Sequence, residues 1–178
     1  MNKIAIIPGH SKSSKGACSC WLPCEFDYNL QVAEELKKLN PSLYTIYTHD
    51  SYSGGYYAMV KSTANQVNKV NFDLVLELHY NAASPLANGA ETCYWFASKK
   101  GKEYAQKITN GLSSSFNITN RGIRALVNKN DRGYWFTYLM KAPAVIIEPF
   151  FGTNEFDALK FQDPKKYAIV LNSILLKL

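Results

Sequence analysis

The sequence predicts an α/β fold, in which a single domain has a central mixed, mostly parallel β-sheet flanked by helices on both faces. Short apolar runs rich in β-branched residues alternate along the chain with segments of helical periodicity. The 178 residues, of which 47% are hydrophobic and 19% charged, are typical of one globular domain with its own core. The sequence contains no internal repeat and no Pro- or Gly-rich linker, so we expect one domain over residues 1–178.

Strands are predicted where a short apolar run has no helical spacing. These runs are residues 3–7, 43–48, 73–79, 90–96, 123–127 and 143–149. The runs at 3–7, 73–79 and 143–149 are nearly continuously apolar, which is typical of strands buried in the middle of a sheet.

Helices are predicted where apolar residues recur every three or four positions, in residues 27–39, 56–70 and 102–115 and from Pro164 to the C-terminus. Asn40 and Pro41 end the first of these helices. Asp163 and Pro164 occupy the N-cap and first helical positions that these residue types favour. Residues 51–55 are predicted to form a turn-rich loop.

The charge balance and the apolar runs restrict the partners that we expect. The net charge of +6 favours polyanions, but the basic residues are scattered and no aromatic RNA-binding signature accompanies them. We therefore expect no nucleic-acid partner. The apolar runs are too short to cross a bilayer, so we expect no stable membrane insertion. Residues 1–8 are predicted to form a strand and not a signal peptide, which indicates synthesis in a cytoplasm.

Three of the four cysteines, Cys18, Cys20 and Cys24, lie in one loop, and Cys93 lies apart. Their spacing is not the Cys-x-x-Cys of a zinc site, and no second pair follows. Metal binding, or a disulfide formed after export, stays open for this cluster. The favoured interpretation is that the thiols are reduced, because the chain is expected to originate in a cytoplasm.

Polar residues end three of the predicted apolar strands. His10 follows the first strand, His79 ends the strand at 73–79, and Glu148 ends the run at 144–147. Ligands bind at the carboxyl ends of strands in open α/β sheets, so these side chains are expected to converge. Glu25 opens the first helix after a loop that starts at His10, and it is expected to reach the same edge.

Two imidazoles and a carboxylate, from His10, His79 and Glu25, form the ligand set of a catalytic zinc with a fourth position open to water. Other divalent ions also accept these ligands. Glu148 is then a candidate for the carboxylate that accepts the proton of water and passes it to a leaving nitrogen.

Each of these residues also has a simpler explanation. A histidine at a strand end is often only hydrogen-bonded, and Glu25 beside Asp27 complements the helix N-terminus. Glu148 is harder to explain in this way, because a buried carboxylate needs a partner. His49 lies in a polar segment, residues 48–51, and is expected to be solvated.

Four segments carry a family resemblance, in the same order as in the family. They are Pro8-Gly9-His10, Glu25 at the first helix, His79-Tyr80-Asn81-Ala82, and residues 148–154. At these segments the chain resembles the zinc-dependent N-acetylmuramoyl-L-alanine amidases (type 3) of bacterial wall hydrolases and phage endolysins. Residues 88–92 and 121–124 resemble further family segments. The chain departs from the family at Ile7, where Asp is frequent, and at Ser11 and Lys12, where Gly-Gly is frequent.

The resemblance implies that His10, Glu25 and His79 hold Zn²⁺ and that Glu148 is the catalytic acid. It also suggests substrate or supporting contacts for Asn81 and Arg121. The implied reaction is cleavage of the peptidoglycan amide between N-acetylmuramic acid and L-alanine by zinc-activated water. We expect a monomeric phage endolysin, made in the bacterial host cytoplasm without a signal peptide, that acts on the cell wall after release. A bacterial amidase that is part of a longer protein is the alternative within the family.

Two alternatives remain. The first is another zinc peptidase, an endopeptidase or a carboxypeptidase, although carboxypeptidase sites use a close His-x-x-Glu pair and fourteen residues separate His10 from Glu25. The second is a non-catalytic basic protein that binds the cell wall, for which the 12 tyrosines offer surfaces for stacking on saccharides.

Overall fold

The strands are seen in a computed structural model that describes residues 1, 3–50 and 54–178. In chain order they are β1 (Ile4–Pro8), β2 (Tyr44–Ile46), β3 (Leu74–Leu78), β4 (Ala90–Trp95), β5 (Asn120–Leu126) and β6 (Ala144–Glu148). Each corresponds to a strand predicted from the sequence, with ends that differ by a few residues. Of the predicted loop at 51–55, residues 51–53 lie outside the described residues.

The helices are α1 (Glu25–Leu39), α2 (Gly55–Val67), α3 (Lys99–Phe116), α4 (Tyr134–Leu139), α5 (Glu155–Lys160) and α6 (Pro164–Leu175). The two short helices α4 and α5 were not predicted, because six residues hold too few turns to show a helical period. A signal for α5 is present in Asn154, whose side chain caps the helix by accepting from the Asp157 amide. Across the described ranges, no helix combines the length and apolar character needed to span a membrane.

The strands form one mixed sheet in the order β2-β1-β3-β6-β4-β5. The neighbouring pairs are parallel except for β4 and β6, which are antiparallel. The predicted mixed, mostly parallel sheet is therefore confirmed. As a result β1, β3 and β6 end at one edge of the sheet, where β4 begins, and Glu91 of β4 lies opposite Glu148 of β6.

Helices cover both faces of the sheet, as predicted. Alternate residues of β1 show the division: Ile4 and Ile6 pack in the core that α1, α3 and α6 share, and Ala5 and Ile7 pack in the core under α2 and α4. Burial on both faces explains why the central strands are almost continuously apolar.

The loop before α1 contains a disulfide between Cys18 and Cys24, so the expectation of reduced thiols is wrong for this pair. The loop folds back on the start of α1, where the Glu25 amide donates to the Ala17 carbonyl at 2.8 Å. This fold brings the two cysteine Cα atoms to 4.0 Å. Cys20 is a free, exposed thiol, and Cys93 is free and buried, with burial raising the pKa of its thiol to about 12.

Candidate active site

His10 follows β1 in a backbone conformation that sequence reasoning did not anticipate. Its φ of 67° lies in the left-handed region, which non-glycine residues adopt only under local constraint. The preceding Gly9 donates its amide to the Leu78 carbonyl at 2.8 Å. A Cβ on Gly9 would lie 2.2 Å from the His79 ring, so only glycine at this position leaves room for that ring.

Glu25 is the first residue of α1, and its side chain is buried. Its Oε2 accepts from the Ala17 amide at 3.1 Å and lies 3.0 Å from His10 Nε2. Its Oε1 lies 2.7 Å from His79 Nδ1 and accepts from the Tyr80 amide at 3.2 Å. These four contacts orient the carboxylate toward the two histidines. Glu25 therefore does more than complement the N-terminus of the helix.

The structure brings His10, Glu25 and His79 together, with one donor atom of each within 4.8 Å of the others. Their chemistry fits a divalent cation, because two imidazole nitrogens and a carboxylate face a common point. The hydrogen bonds that join them are the contacts that such an ion would replace. That these residues bind zinc stays a prediction.

The pKa values in this cluster favour a bound positive charge. Burial alone would raise the pKa of Glu25, but the hydrogen bonds from His10 and His79 outweigh it and lower the pKa to about 2. Burial alone would lower the pKa of His79, yet hydrogen bonds to Glu25 and Glu77 raise it well above its ordinary value. In the metal-free protein Glu25 is thus ionised and favours positive charge on the imidazole of His79.

Glu148 has the opposite behaviour. It ends β6, and its Oε2 is buried with no hydrogen-bond partner among the described residues. Burial raises the pKa of its carboxyl group to about 8; the positive charge of His79 lowers it, but less than burial and the carboxylates of Glu25, Glu91 and Glu77 raise it. An unpartnered buried oxygen with this pKa is suited to exchanging a proton near neutral pH.

His49 is buried, so the expectation that it is solvated is wrong. Its Nε2 lies 2.7 Å from Oε1 of Glu77, a buried carboxylate of β3 that sequence reasoning missed. The other oxygen of Glu77 lies 3.4 Å from His79 Nε2. A glutamate inside an otherwise apolar strand was the available signal, because a buried carboxylate requires partners.

A cleft of about 840 Å³ is lined by His10, Glu25, Glu77, His79 and Glu148. Asn81 lines it, as does Arg124. Arg121, which the resemblance suggested as a substrate contact, packs over the Phe151 ring at 5.0 Å and is not among the described residues that line the cleft. Further lining residues come from α2, from α4 and from the segment before α4: Tyr56, Tyr57, Met59, Lys129, Asn130, Asp131, Arg132, Gly133 and Trp135.

Comparison with curated proteins identifies two relatives. The chain is 29% identical over 165 residues to the N-acetylmuramoyl-L-alanine amidase LytC of Bacillus subtilis, a match that covers 89% of this chain and 31% of LytC. It is 27% identical over 162 residues to an uncharacterized 38.4 kDa protein of Clostridium perfringens, with 87% of this chain and 44% of that protein covered. The chain therefore spans less than half the length of these two curated relatives.

Comparison with solved structures identifies similar folds at similar identity. The catalytic domain of the CD27L endolysin targeting Clostridia difficile is 27% identical, with a TM-score of 0.82 over 99% of this chain and 98% of that chain. An N-acetylmuramoyl-L-alanine amidase from Clostridium difficile 630 is 26% identical, with a TM-score of 0.77 over 99% of this chain and 95% of that chain. A family model described as N-acetylmuramoyl-L-alanine amidase matches residues 4–177. The chain belongs to the N-acetylmuramoyl-L-alanine amidase family.

Proposed function

We propose that this protein is a zinc-dependent hydrolase that cleaves the amide bond between N-acetylmuramic acid and the L-alanine of the peptidoglycan stem peptide. The observation that carries the proposal is the convergence of donor atoms from His10, Glu25 and His79 within 4.8 Å, in the same cleft as the buried, unpartnered Oε2 of Glu148. Membership of the amidase family supports it. We propose further that residues 1–178 act as one catalytic domain.

His10, Glu25 and His79 would hold the metal through two imidazole nitrogens and one carboxylate oxygen. When bound there, zinc would lower the pKa of water from about 15.7 to about 7 and would polarise the carbonyl group of the amide. The backbone amides of Ala17 and Tyr80, which donate to Glu25, keep its carboxylate oriented toward the two histidines.

Glu148 would carry the proton. Because burial raises the pKa of its carboxyl group to about 8, the group can take up and release a proton near neutral pH. We propose that it accepts the proton of the attacking water and donates it to the leaving nitrogen. The C–O bond forms first, and the C–N bond breaks once the nitrogen has received the proton, so the products are a carboxylic acid on muramic acid and a free L-alanine amine.

The walls of the cleft suit a substrate that joins sugars to an acidic peptide. Tyr57 and Trp135 present aromatic rings whose centroids lie 4.7 Å apart, and such surfaces accommodate sugar rings. Arg124 and Lys129 bring positive charge to the same cleft, where carboxylates of a stem peptide would find charge-assisted partners. Asn81 is proposed as a further substrate contact.

Metal analysis and end-group analysis together test the proposal. We expect purified wild type to retain zinc, and His10→Ala and His79→Ala to lose it. Full zinc occupancy in either variant would contradict the proposed metal site. Digestion of purified cell wall is expected to expose new L-alanine amino termini, to stop with a chelator and to resume with added zinc.

The same digestion separates the alternatives. New amino termini elsewhere in the stem peptide would identify a peptidoglycan endopeptidase, and release of single C-terminal residues would identify a carboxypeptidase. Binding to walls without any loss of turbidity would identify a non-catalytic wall-binding protein.

We also propose that the protein acts as a monomeric phage endolysin, made in the bacterial host cytoplasm and acting on the wall after release. Its likeness to the catalytic domain of the CD27L endolysin supports this, and the net charge of +6 favours attraction to an acidic envelope. Cells that express it are expected to stay intact until their membrane is permeabilised and then to lyse. Lysis without permeabilisation would contradict this role, and sedimentation is expected to give the 20.0 kDa of one chain.

A further inference from the structure

A chain of buried polar side chains lies behind His79, and the proposed reaction does not use it. Glu77 places one oxygen 2.7 Å from His49 Nε2 and the other 3.4 Å from His79 Nε2. The second nitrogen of His49 hydrogen-bonds with Thr63 Oγ1 at 2.8 Å. The side chains of His49 and Glu77 are 0% and 3% exposed.

Glu77 is a charged residue at a buried position of β3, and it pairs with the buried His49. The neighbouring residues of β3 are apolar, and well-packed apolar side chains generally stabilise a core at least as well as a buried ion pair. The pair also satisfies its own atoms fully, since both oxygens of Glu77 and both nitrogens of His49 have partners. What the pair provides is a fixed carboxylate against one nitrogen of His79.

The two nitrogens of His79 face two different carboxylates. Nδ1 lies 2.7 Å from Glu25 Oε1 and points into the donor cluster, whereas Nε2 faces Glu77. Histidines that bind metals nearly always donate their second N–H to a carboxylate, a carbonyl or water, which sets the tautomer and the ring orientation. With a metal in the cluster, donation of Nε2–H to Glu77 would leave the Nδ1 lone pair directed at the ion.

We infer that Glu77 and His49 are positioning residues for His79. Glu77 holds the ring so that Nδ1 faces His10 and Glu25, and His49, anchored on Thr63, holds Glu77 in the required rotamer. The inference rests on the proposed function, because it concerns how tightly the His10–Glu25–His79 cluster binds zinc. It goes beyond that function in assigning a role to two residues outside the cluster.

The test compares Glu77→Gln, His49→Leu and His49→Gln with wild type. Zinc affinity is measured by competition with a chromogenic chelator, and the ring position in the metal-free protein is measured by NMR contacts between the His79 ring and Gly9. We expect Glu77→Gln and His49→Leu to lower zinc affinity by about 10- to 100-fold and to weaken the contact with Gly9. His49→Gln keeps a donor toward Glu77 and is expected to restore most of both.

The control is Tyr44→Phe, which removes a hydrogen bond to Asn172 from a buried residue at the opposite end of the sheet. It is expected to leave both readouts unchanged. Glu77 and His49 variants that keep wild-type zinc affinity and the Gly9 contact, whatever their thermal stability, would overturn the inference. If wild type binds no zinc but the variants still displace the ring, the proposed metal site fails and the positioning role stands.

Discussion

Two corners of the cleft each contain a carboxyl group that is shielded from solvent, and the pKa values of these two groups are shifted in opposite directions. In the corner formed by the ends of β1 and β3, both oxygens of Glu25 have partners and its pKa falls to about 2. In the corner formed by β6 and the start of β4, Oε2 of Glu148 has no described partner and its pKa rises to about 8. Burial disfavours ionisation in both corners, so the outcome is decided by the donors that reach Glu25 and by the neighbouring carboxylates that repel a charge on Glu148.

This difference separates two chemical roles within one site. A carboxylate that stays ionised at neutral pH is suited to holding a cation, and one that exchanges its proton near neutral pH is suited to acid–base catalysis. Pairs of titratable groups whose environments push their pKa values apart commonly mark such a division of roles.

The largest effect is expected from Glu148→Gln, which removes proton transfer and keeps the shape of the side chain. We expect kcat for wall hydrolysis to fall by about 10²- to 10⁴-fold, with zinc affinity within about twofold of wild type. Steady-state hydrolysis and chelator competition measure the two quantities, and Glu155→Gln in α5 is the exposed control. A Glu148→Gln enzyme that lyses walls at the wild-type rate would exclude the proposed proton carrier.

The stability of the metal-free protein is expected to depend on pH through Glu148. The pKa of Glu148 is raised to about 8 in the folded state from 4.5, so the folded state binds more protons than the unfolded state between these values. Stability must then fall as pH rises through this window, by up to about 1.4 kcal/mol per pH unit. Chemical denaturation with a chelator present should show Glu148→Gln gaining stability relative to wild type from pH 5 to pH 8. A constant difference would contradict the raised pKa.

Gly16→Ala tests the corner that contains Glu25, where we propose that a cation binds. An added Cβ would lie 2.5 Å from the His10 ring and 2.6 Å from Glu25 Oε2, at a φ of +75°. Gly122→Ala is the matched control, because its φ is +87° and nothing lies within 4 Å of the added atom. Both changes should cost about 1–2 kcal/mol of stability through the backbone. We expect only Gly16→Ala to lower zinc affinity, by about tenfold; equal affinities would show that the cluster tolerates the displacement.

The smallest effects are expected at Arg121 and Arg124, the two arginines of the segment 121–124. Arg124 lines the cleft, and Arg121 packs over Phe151. Arg124→Ala is expected to raise KM about tenfold, through loss of a charge-assisted hydrogen bond worth about 1.5 kcal/mol or more. Arg121→Ala, whose side chain is exposed, is expected to change KM by less than about twofold. A larger KM change in Arg121→Ala would indicate that Arg121 contacts the substrate.

Much of the architecture was predictable because the signals are local. The continuous apolar runs predicted the central strands, and Asp163 with Pro164 predicted the start of α6, where the Asp163 side chain accepts from two backbone amides. The position of His10 and Glu148 at one edge of the sheet was predictable, because polar residues that end parallel strands meet there. The helices α4 and α5 were missed because six residues show no reliable period.

Within the site, the errors fall on residues whose partners are distant in sequence. His49 lies in a polar segment and was expected to be solvated, but the ends of β2 and β3 bury it against Glu77, 28 residues away. The disulfide between Cys18 and Cys24 depends on the loop folding back on α1, which residue spacing does not reveal. The resemblance suggested Arg121 as a substrate contact, which stays a prediction, and it did not suggest Arg124, which the pairing of β4 with β5 places opposite the cleft residue Cys93.

The sequence by itself determined the strands and helices with clear periods, the order of the amidase segments, and the residue types that can hold a metal. These properties depend on neighbouring residues and on the chemistry of single side chains. The tertiary structure decided the proton affinities of Glu25 and Glu148, the burial of His49 and Glu77, and which arginine lines the cleft. These latter properties depend on solvent exclusion and on distances between atoms that are far apart in the chain. Both are established only after the sheet and its helices have packed.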